Sequence, residues 1–520
     1  MGGKLAGWRL DAAIIILLYL TCIYLWTLPI KSSQIPYGET DAVSHFKVAD
    51  YMASVDKPMF WLPNYIDFRY GPDNLFKHHT LWYHPPFHVN IALAEIFAGR
   101  VVPFYLMLTL MCSVTVISVY FVTRKLLGTM PAALASLLTI FAGREYMPFL
   151  WGQWPERVSY ALIILVAYCV YRYLNLMVKN KPALRYAVMG ALLMGVQLYM
   201  HPTGLFHSVL TIFILWLFFA IKHRRLIFKP AHLAVFAIVF LLLSMVFPFQ
   251  SLNVVVRLGL EKNPHDIGNI SRLFSWFKKL DYDAGLPERY FSYAEMNGSW
   301  TIPLALAGSA FLLLRRKKQD MFFIAMIIAF YIMTHLDFIG SGRVHRSLSA
   351  EASVIYPVIA LGLMGFASLV SQLTGGKNKQ TIKYLAAAVF IYFALTVNGA
   401  SAYKQLSQAY PVGVRMTPGQ VEAAEWIGEN LAEDAGVIGF GHYPANKVDW
   451  TSAYARRLVN DYIPAEYNAT HILIDYTDSI NFGIKPLFEQ LQSLENVNLS
   501  NKTPIYKTEA IRVYEIEERK

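Results

Sequence analysis

Charge is what this chain has least of. Only 16% of its 520 residues are charged, against 55% hydrophobic, too few to coat the several soluble domains that a chain of this length would form. Cysteine is nearly absent. Cys22, Cys112 and Cys169 all lie in apolar runs, which excludes a disulfide framework and a cysteine zinc motif. There is no internal repeat, and few ionisable residues fall in the middle of an apolar run, where pumps and channels commonly carry them. The net charge of +11 does not point to nucleic acid. Its basic residues gather between apolar runs, at Arg124-Lys125, Lys179 to Arg185, Lys222 to Arg225, Arg315 to Lys318 and Lys377 to Lys383, which is the positive-inside pattern of membrane proteins.

What is abundant is apolar length. Runs of about 15–20 residues, enough to cross ~30 Å of hydrocarbon, recur from residue 12 to residue 400. They predict a polytopic α-helical membrane protein with spans at 12–30, 102–122, 130–149, 158–177, 186–200, 203–221, 231–248, 301–314, 321–338, 350–370 and 382–400. The first is too long for a signal-peptide core. Residues 87–99 are apolar but short and follow His84-Pro85-Pro86, so they read as interfacial or re-entrant. That choice puts every basic cluster on the cytoplasmic side. The amino terminus is then inside, and the segments 31–101, 143–157, 249–300 and 339–349 and the carboxyl-terminal region are outside. The Asn-x-Ser/Thr triplets at Asn269, Asn297, Asn468, Asn498 and Asn501 fall outside as well. A plasma-membrane protein with its chemistry on the outer face, where the long loops are, is expected.

From residue 401 the composition becomes that of a soluble domain. Thr417-Pro418-Gly419-Gln420 has the pattern of a helix start. It predicts a helix over 418–431, with strands at 436–440, 471–475 and 511–516 and a helix at 484–494. Residues 1–400 thus form a transmembrane domain, and 401–520 a small α/β domain outside it.

Several polar groups crowd the outer ends of the spans. Asp41 and His45 are one helical turn apart on a predicted amphipathic helix over 41–55, lying along the membrane surface. A carboxylate and an imidazole so placed suit proton abstraction or metal binding. The structural alternative makes Asp41 a helix cap. Glu156 flanks Trp151-Gly152-Gln153-Trp154-Pro155 and could equally serve the helix amino terminus there. Glu145 has Arg144 beside it as a local partner. In Ile339 to Ser349, Arg343, His345 and Arg346 stand next to glycines, and guanidinium groups match phosphate oxygens; interfacial arginines also bind lipid headgroups. His78, His79, His84 and His88 cluster before the interfacial segment, and His201 begins the turn His201-Pro202-Thr203-Gly204. Most of these histidines read as interfacial ring donors.

Taken together, the chain resembles the GT-C class of membrane glycosyltransferases, and within it the catalytic subunit of archaeal oligosaccharyltransferase. Three pieces carry the resemblance: Asp41-x-x-x-His45-x-Lys47 after the first span, Tyr83-His84-Pro85-Pro86-Phe87-His88 closing the first outer loop, and Glu422 to Asn430 leading into the globular domain. The resemblance implies a GT-C-like fold that takes a sugar from a polyprenyl-phosphate or diphosphate carrier to a glycan, lipid or protein acceptor on the outer face. It makes Asp41 the first-loop catalytic carboxylate, as base or metal ligand, and Glu156 a second-loop acidic group. Arg343 or Arg346 would hold the carrier phosphate, and Glu295 of Ser292-Tyr293-Ala294-Glu295 would belong to a loop, 249–300, that closes over the donor. Asp41 and Glu156 suit a divalent cation, Mg²⁺ or Mn²⁺, or no metal at all. Phe440-Gly441-His442-Tyr443-Pro444 stands where oligosaccharyltransferases carry Trp-Trp-Asp-Tyr-Gly, and the second-loop Asp-x-Asp pattern is missing. Both departures weaken the expectation of peptide-sequon transfer and of tight metal binding. The rival readings are a lipid flippase or solute transporter, oligosaccharyltransferase proper, and an inactive anchor presenting residues 401–520. The enzyme reading expects Asp41, Glu156 and Arg343 to share one cavity.

Overall fold

A computed structural model describes residues 2–38, 40–54, 63–67, 85–248, 251, 288–335, 344–375, 378–408, 415–444, 447–463 and 469–516. They gather into two compact units. The first comprises Met1–Trp26, Leu108–Phe149 and Trp154–Lys404; the second comprises Thr27–Met107, Leu150–Gln153 and Gln405–Lys520. Composition shifts at residue 400, but compactness divides the chain differently, grouping Thr27–Met107 with the carboxyl-terminal part.

The first unit is helical. Among the described residues, six helices of the chain are long and apolar enough to cross a membrane: Trp8–Trp26, Val102–Leu126, Trp154–Val178, Pro202–His223, Arg346–Leu373 and Lys379–Ser407. Leu184–Met200, Pro230–Ser244, Ser299–Arg315 and Asp320–His335 are apolar but shorter. Small residues set the closest approach. A Cβ on Gly308 would lie 2.0 Å from the Val358 carbonyl oxygen, and one on Gly362 2.0 Å from that of Leu304. Helices Ile302–Arg315 and Tyr356–Leu373 therefore meet backbone to backbone, the usual membrane solution where no hydrophobic effect drives association. The last span carries a π-helical stretch, Ala394–Gly399, a feature common at functional positions. There Asn398 accepts from Trp300 Nε1 (2.9 Å) and donates to the Asn297 carbonyl (3.0 Å).

The second unit contains a five-stranded sheet of β1 (Gly436–Phe440), β2 (Leu458–Asn460), β3 (Ala469–Asp475), β4 (Tyr506–Lys507) and β5 (Ile511–Glu515), in the order β2-β1-β3-β5-β4. β1 is parallel to β2 and β3, while β5 runs antiparallel to β3 and β4. Helix Pro418–Asn430 begins with the expected capping box, in which Thr417 and Gln420 satisfy each other's backbone N–H groups. β2 and β4 were too short to stand out in the sequence pattern.

Helix Thr40–Ser54 departs from its expected surface position. Ala42, Val43, Phe46, Val48 and Ala49 are buried, and so are the polar His45, Lys47 and Asp50. Partners for the polar groups allow this: a helix buried on nearly every side must satisfy its charges internally. Helix Pro85–Ala98 keeps two faces. Phe87, His88, Ile91 and Glu95 are buried, whereas Val89, Leu93, Ile96 and Phe97 form an exposed apolar stripe. Fourteen residues span about 21 Å, short of the hydrocarbon thickness.

Candidate active site

In the second unit, Asp41 occupies the first turn of helix Thr40–Ser54 and is half-buried. Two glycines with left-handed backbones press on that turn. A Cβ on Gly152 (φ +92°) would lie 2.2 Å from the Ala42 nitrogen, and one on Gly38 (φ +118°) 2.4 Å from the Ala42 Cβ. Only a residue without a side chain fits either place. Trp450 Nε1 donates to the Gly38 carbonyl (2.8 Å), fixing the approach to the helix. One turn on, His45 Nδ1 lies 3.0 Å from His88 Nε2, so two of the segments that carried the family resemblance meet through their histidines. Both rings are buried against Phe87. Lys47 donates to the Tyr65 carbonyl (3.1 Å) and to Ser452 Oγ (3.2 Å), with Asp449 3.8 Å away.

Asp50, which the sequence pattern did not mark, is the most engaged carboxylate here. It is fully buried and accepts from Arg100 (2.7 and 3.0 Å) and from Arg456 (2.9 and 2.9 Å), each through two nitrogens. The arginines come from positions 50 and 406 residues away, so no local signal could have paired them.

The segment that replaces Trp-Trp-Asp-Tyr-Gly follows β1. His442 is buried, with Nε2 3.1 Å from Thr451 Oγ1 and 3.8 Å from Asp475. Burial lowers its pKa, against the opposing charge of Asp475. The Tyr443 N–H donates to Asp478, which also receives Lys447 Nζ at 2.6 Å.

In the first unit, three residues singled out from the sequence come together. Glu156, in the first turn of Trp154–Ala161, is buried; its Oε1 accepts from Thr203 Oγ1 (3.0 Å) and lies 3.8 Å from His201 Nδ1. Arg346 Nη1 is 3.8 Å from Oε2 of the same carboxylate. His201 is also the N-cap of Pro202–His223, accepting from the Thr203 N–H. The turn thus places an imidazole and a hydroxyl on one carboxylate.

Around this group the ion pairs differ from the local ones expected. Glu145 pairs with Arg157, and Arg144 pairs with Glu351 (3.2 Å) and donates to the Tyr290 carbonyl. Adjacent helical residues diverge by about 100°, so neighbours in sequence face different partners. Asn297 donates to Glu351 (2.7 Å) and accepts from Tyr356 (2.6 Å). Asn297 is buried, which removes it as a surface glycosylation acceptor. Glu295 is exposed, and its N–H donates to Ser292 Oγ, the cap of the short helix Tyr293–Asn297.

Arg343 and His84 lie outside the described residues, as does most of 249–300. The backbone of His345 belongs to the 3-10 helix Val344–Ala350, but its side chain is likewise outside them. Asp41 belongs to the second unit and Glu156 to the first. Among the described residues, no group of three or more His, Cys, Asp or Glu side chains gathers as a metal site requires. Around Glu156 the next charged group is a guanidinium, so the surrounding donors do not fit a hard cation.

No family model and no curated protein matches the chain. Solved structures do. The oligosaccharyltransferase AglB of Archaeoglobus fulgidus, in complex with an inhibitory peptide and a dolichol-phosphate, has a TM-score of 0.57 at 12% identity, over 89% of this chain and 69% of that one. ArnT of Cupriavidus metallidurans bound to undecaprenyl phosphate has a TM-score of 0.52 at 11% identity, over 98% of both chains. The chain has the GT-C fold. It is a multi-pass membrane protein with a small carboxyl-terminal sheet, and identities this low establish the fold alone.

Proposed function

We propose that the chain is a glycosyltransferase that moves a sugar from a polyprenyl-phosphate-type carrier to an acceptor on the outer face of the plasma membrane. One observation carries this reading: a GT-C fold shared with two proteins that were each solved with a polyprenyl phosphate. The positive-inside pattern supports a cytoplasmic amino terminus and an extracytoplasmic carboxyl-terminal domain.

In the inverting reaction the acceptor oxygen attacks the anomeric carbon, and the bond from that carbon to the carrier phosphate oxygen breaks. Asp41 takes the acceptor proton, a role that typically contributes ~10²–10⁴-fold. The bonding electrons leave with the phosphate, whose growing charge is met by Arg346 or Arg343. Arg346 is suited to this. Its guanidinium is mostly buried and lies 3.8 Å from Glu156, which Thr203 and His201 back. His45 acts on the position of the helix that carries Asp41, through His88. No step needs the expected Mg²⁺ or Mn²⁺, and a chelator arm of the assay tests that directly.

The experiment is transfer from a panel of polyprenyl-phosphate sugars by the purified full chain in nanodiscs. Asp41→Asn is expected to lower turnover by at least ~10²-fold with carrier binding retained, and Arg346→Ala to weaken carrier binding as well. Full activity in Asp41→Asn, or no transfer from any carrier, sinks the assignment; carrier movement across the bilayer without transfer would favour a flippase.

A further inference from the structure

The basic turns of the first unit meet at one end of its helices. Gln319 Nε2 donates to the Leu126 carbonyl (2.9 Å), Lys222 Nζ lies 3.5 Å from Met321 Sδ, and the Lys229 N–H donates to the Tyr173 hydroxyl (3.4 Å). These contacts tie together the ends of helices Val114–Leu126, Ile163–Val178, Pro202–His223, Pro230–Ser244 and Asp320–His335. Among the described residues the carboxylates at this end are Asp11 and Asp320, and Arg124 and Arg315 already engage them. We infer that this basic face binds anionic phospholipid, and that one headgroup seats in a groove of about 400 Å³ lined by Leu176, Lys181, Pro182, Leu184 and Arg185. The inference does not depend on sugar transfer.

The charges beside the groove are arranged against their own surroundings. Arg172 and Arg185 stand 5.6 and 5.0 Å from the centre of a single ring, that of Tyr186. Arg185 also sits in the first turn of helix Leu184–Met200, which has no acidic residue and no side-chain cap. The helix dipole disfavours a cation there. Lys179 and Lys181, both exposed, add two more charges on the preceding turn. None of these four cations pairs with a carboxylate among the described residues. An anion supplied from outside the chain relieves their repulsion, and phosphate oxygens match guanidinium and ammonium donors.

The apolar wall decides what carries that phosphate. Asn180 adopts a left-handed backbone (φ +53°), and the Lys181 N–H donates back to the Leu176 carbonyl (2.9 Å). The turn therefore brings Leu176, Pro182 and Leu184 beside the cations, with Leu184 40% exposed. A soluble phosphate or an acidic peptide would neutralise the charge and leave this carbon uncovered. A phospholipid supplies both halves, a phosphate for Lys181 and Arg185 and acyl carbon for the leucines. Under the positive-inside reading this end faces the cytoplasm, where the leaflet surface is negative.

The test is native mass spectrometry of the full chain in detergent with equal amounts of phosphatidylglycerol and phosphatidylcholine. Phosphatidylglycerol is expected to remain bound in preference. Lys181→Gln and Arg185→Gln, both at exposed positions, should each weaken its binding about fivefold, with the melting temperature in lipid-free detergent unchanged. Lys379→Gln, in a different basic turn, should leave it as it is. The inference is overturned if the two lipids bind alike, or if both groove variants bind like the parent. It is overturned too if Lys379→Gln costs as much as either groove substitution, since diffuse charge would then account for the binding. Displacement of phosphatidylglycerol by equimolar glycerol 3-phosphate, hexaglutamate or a polyprenyl phosphate would assign the groove to another ligand and overturn it as well.

Discussion

Glu95 offers a test of the structure that does not depend on knowing the substrate. It sits on the buried face of helix Pro85–Ala98, outside the membrane-crossing helices, and neither carboxyl oxygen has a hydrogen-bond partner among the described residues. Burial raises its pKa from 4.5 to about 9, with the Asp50 charge adding to the rise and Arg100 and Arg456 opposing it. The folded protein therefore keeps Glu95 neutral at pH values where the unfolded chain has ionised it. Its favourable contribution is fully present below the unfolded value and is lost as pH rises toward about 9. At 1.36 kcal/mol per unit, the penalty reaches on the order of 4 kcal/mol near pH 7.5. Glu95→Gln keeps the shape and removes the titration. Thermal unfolding of the full chain in detergent should give nearly equal melting temperatures for parent and variant near pH 5, and a more stable variant near pH 8. A difference that stays flat with pH, or a variant less stable near pH 8, would show that Glu95 is ionised and paired in the folded state, and the burial argument would be wrong.

Two further substitutions probe the two units separately. Asp50→Asn removes the counter-charge of Arg100 and Arg456 while keeping the volume. Leaving buried charge uncompensated costs ~3–5 kcal/mol, read as a fall in melting temperature that a charge-preserving Asp50→Glu does not reproduce in full. Gly308→Val places side-chain carbon where the Val358 carbonyl oxygen already lies, so helices Ile302–Arg315 and Tyr356–Leu373 must separate. Lower detergent resistance is expected, and a variant as stable as the parent would show that the two backbones do not meet there.

The carboxyl-terminal elements were legible because each is written locally. The Thr417/Gln420 capping box, the helix after it and the strands at 436–440 and 511–516 need only neighbours a few residues apart. The environment of helix Thr40–Ser54 was not legible, because its polar residues mimic a solvated face. The partners that allow their burial, His88, Arg100 and Ser452, come from distant parts of the chain. Glu156 was noticed for its position at a span end, and its contacts with His201 and Arg346 were then supplied by two other turns between helices. Asp50 was missed altogether. An aspartate in the middle of a mixed helix carries no mark until two arginines close on it.

Hydrophobic length and the spacing of basic residues by themselves determined that this chain is a polytopic membrane protein, because the energy of crossing hydrocarbon is a sum over consecutive residues. Which charges pair was decided only by the tertiary structure. A buried carboxylate is matched by whichever cation the packing of distant segments delivers, as Glu145 and Arg144 demonstrate by ignoring each other for Arg157 and Glu351.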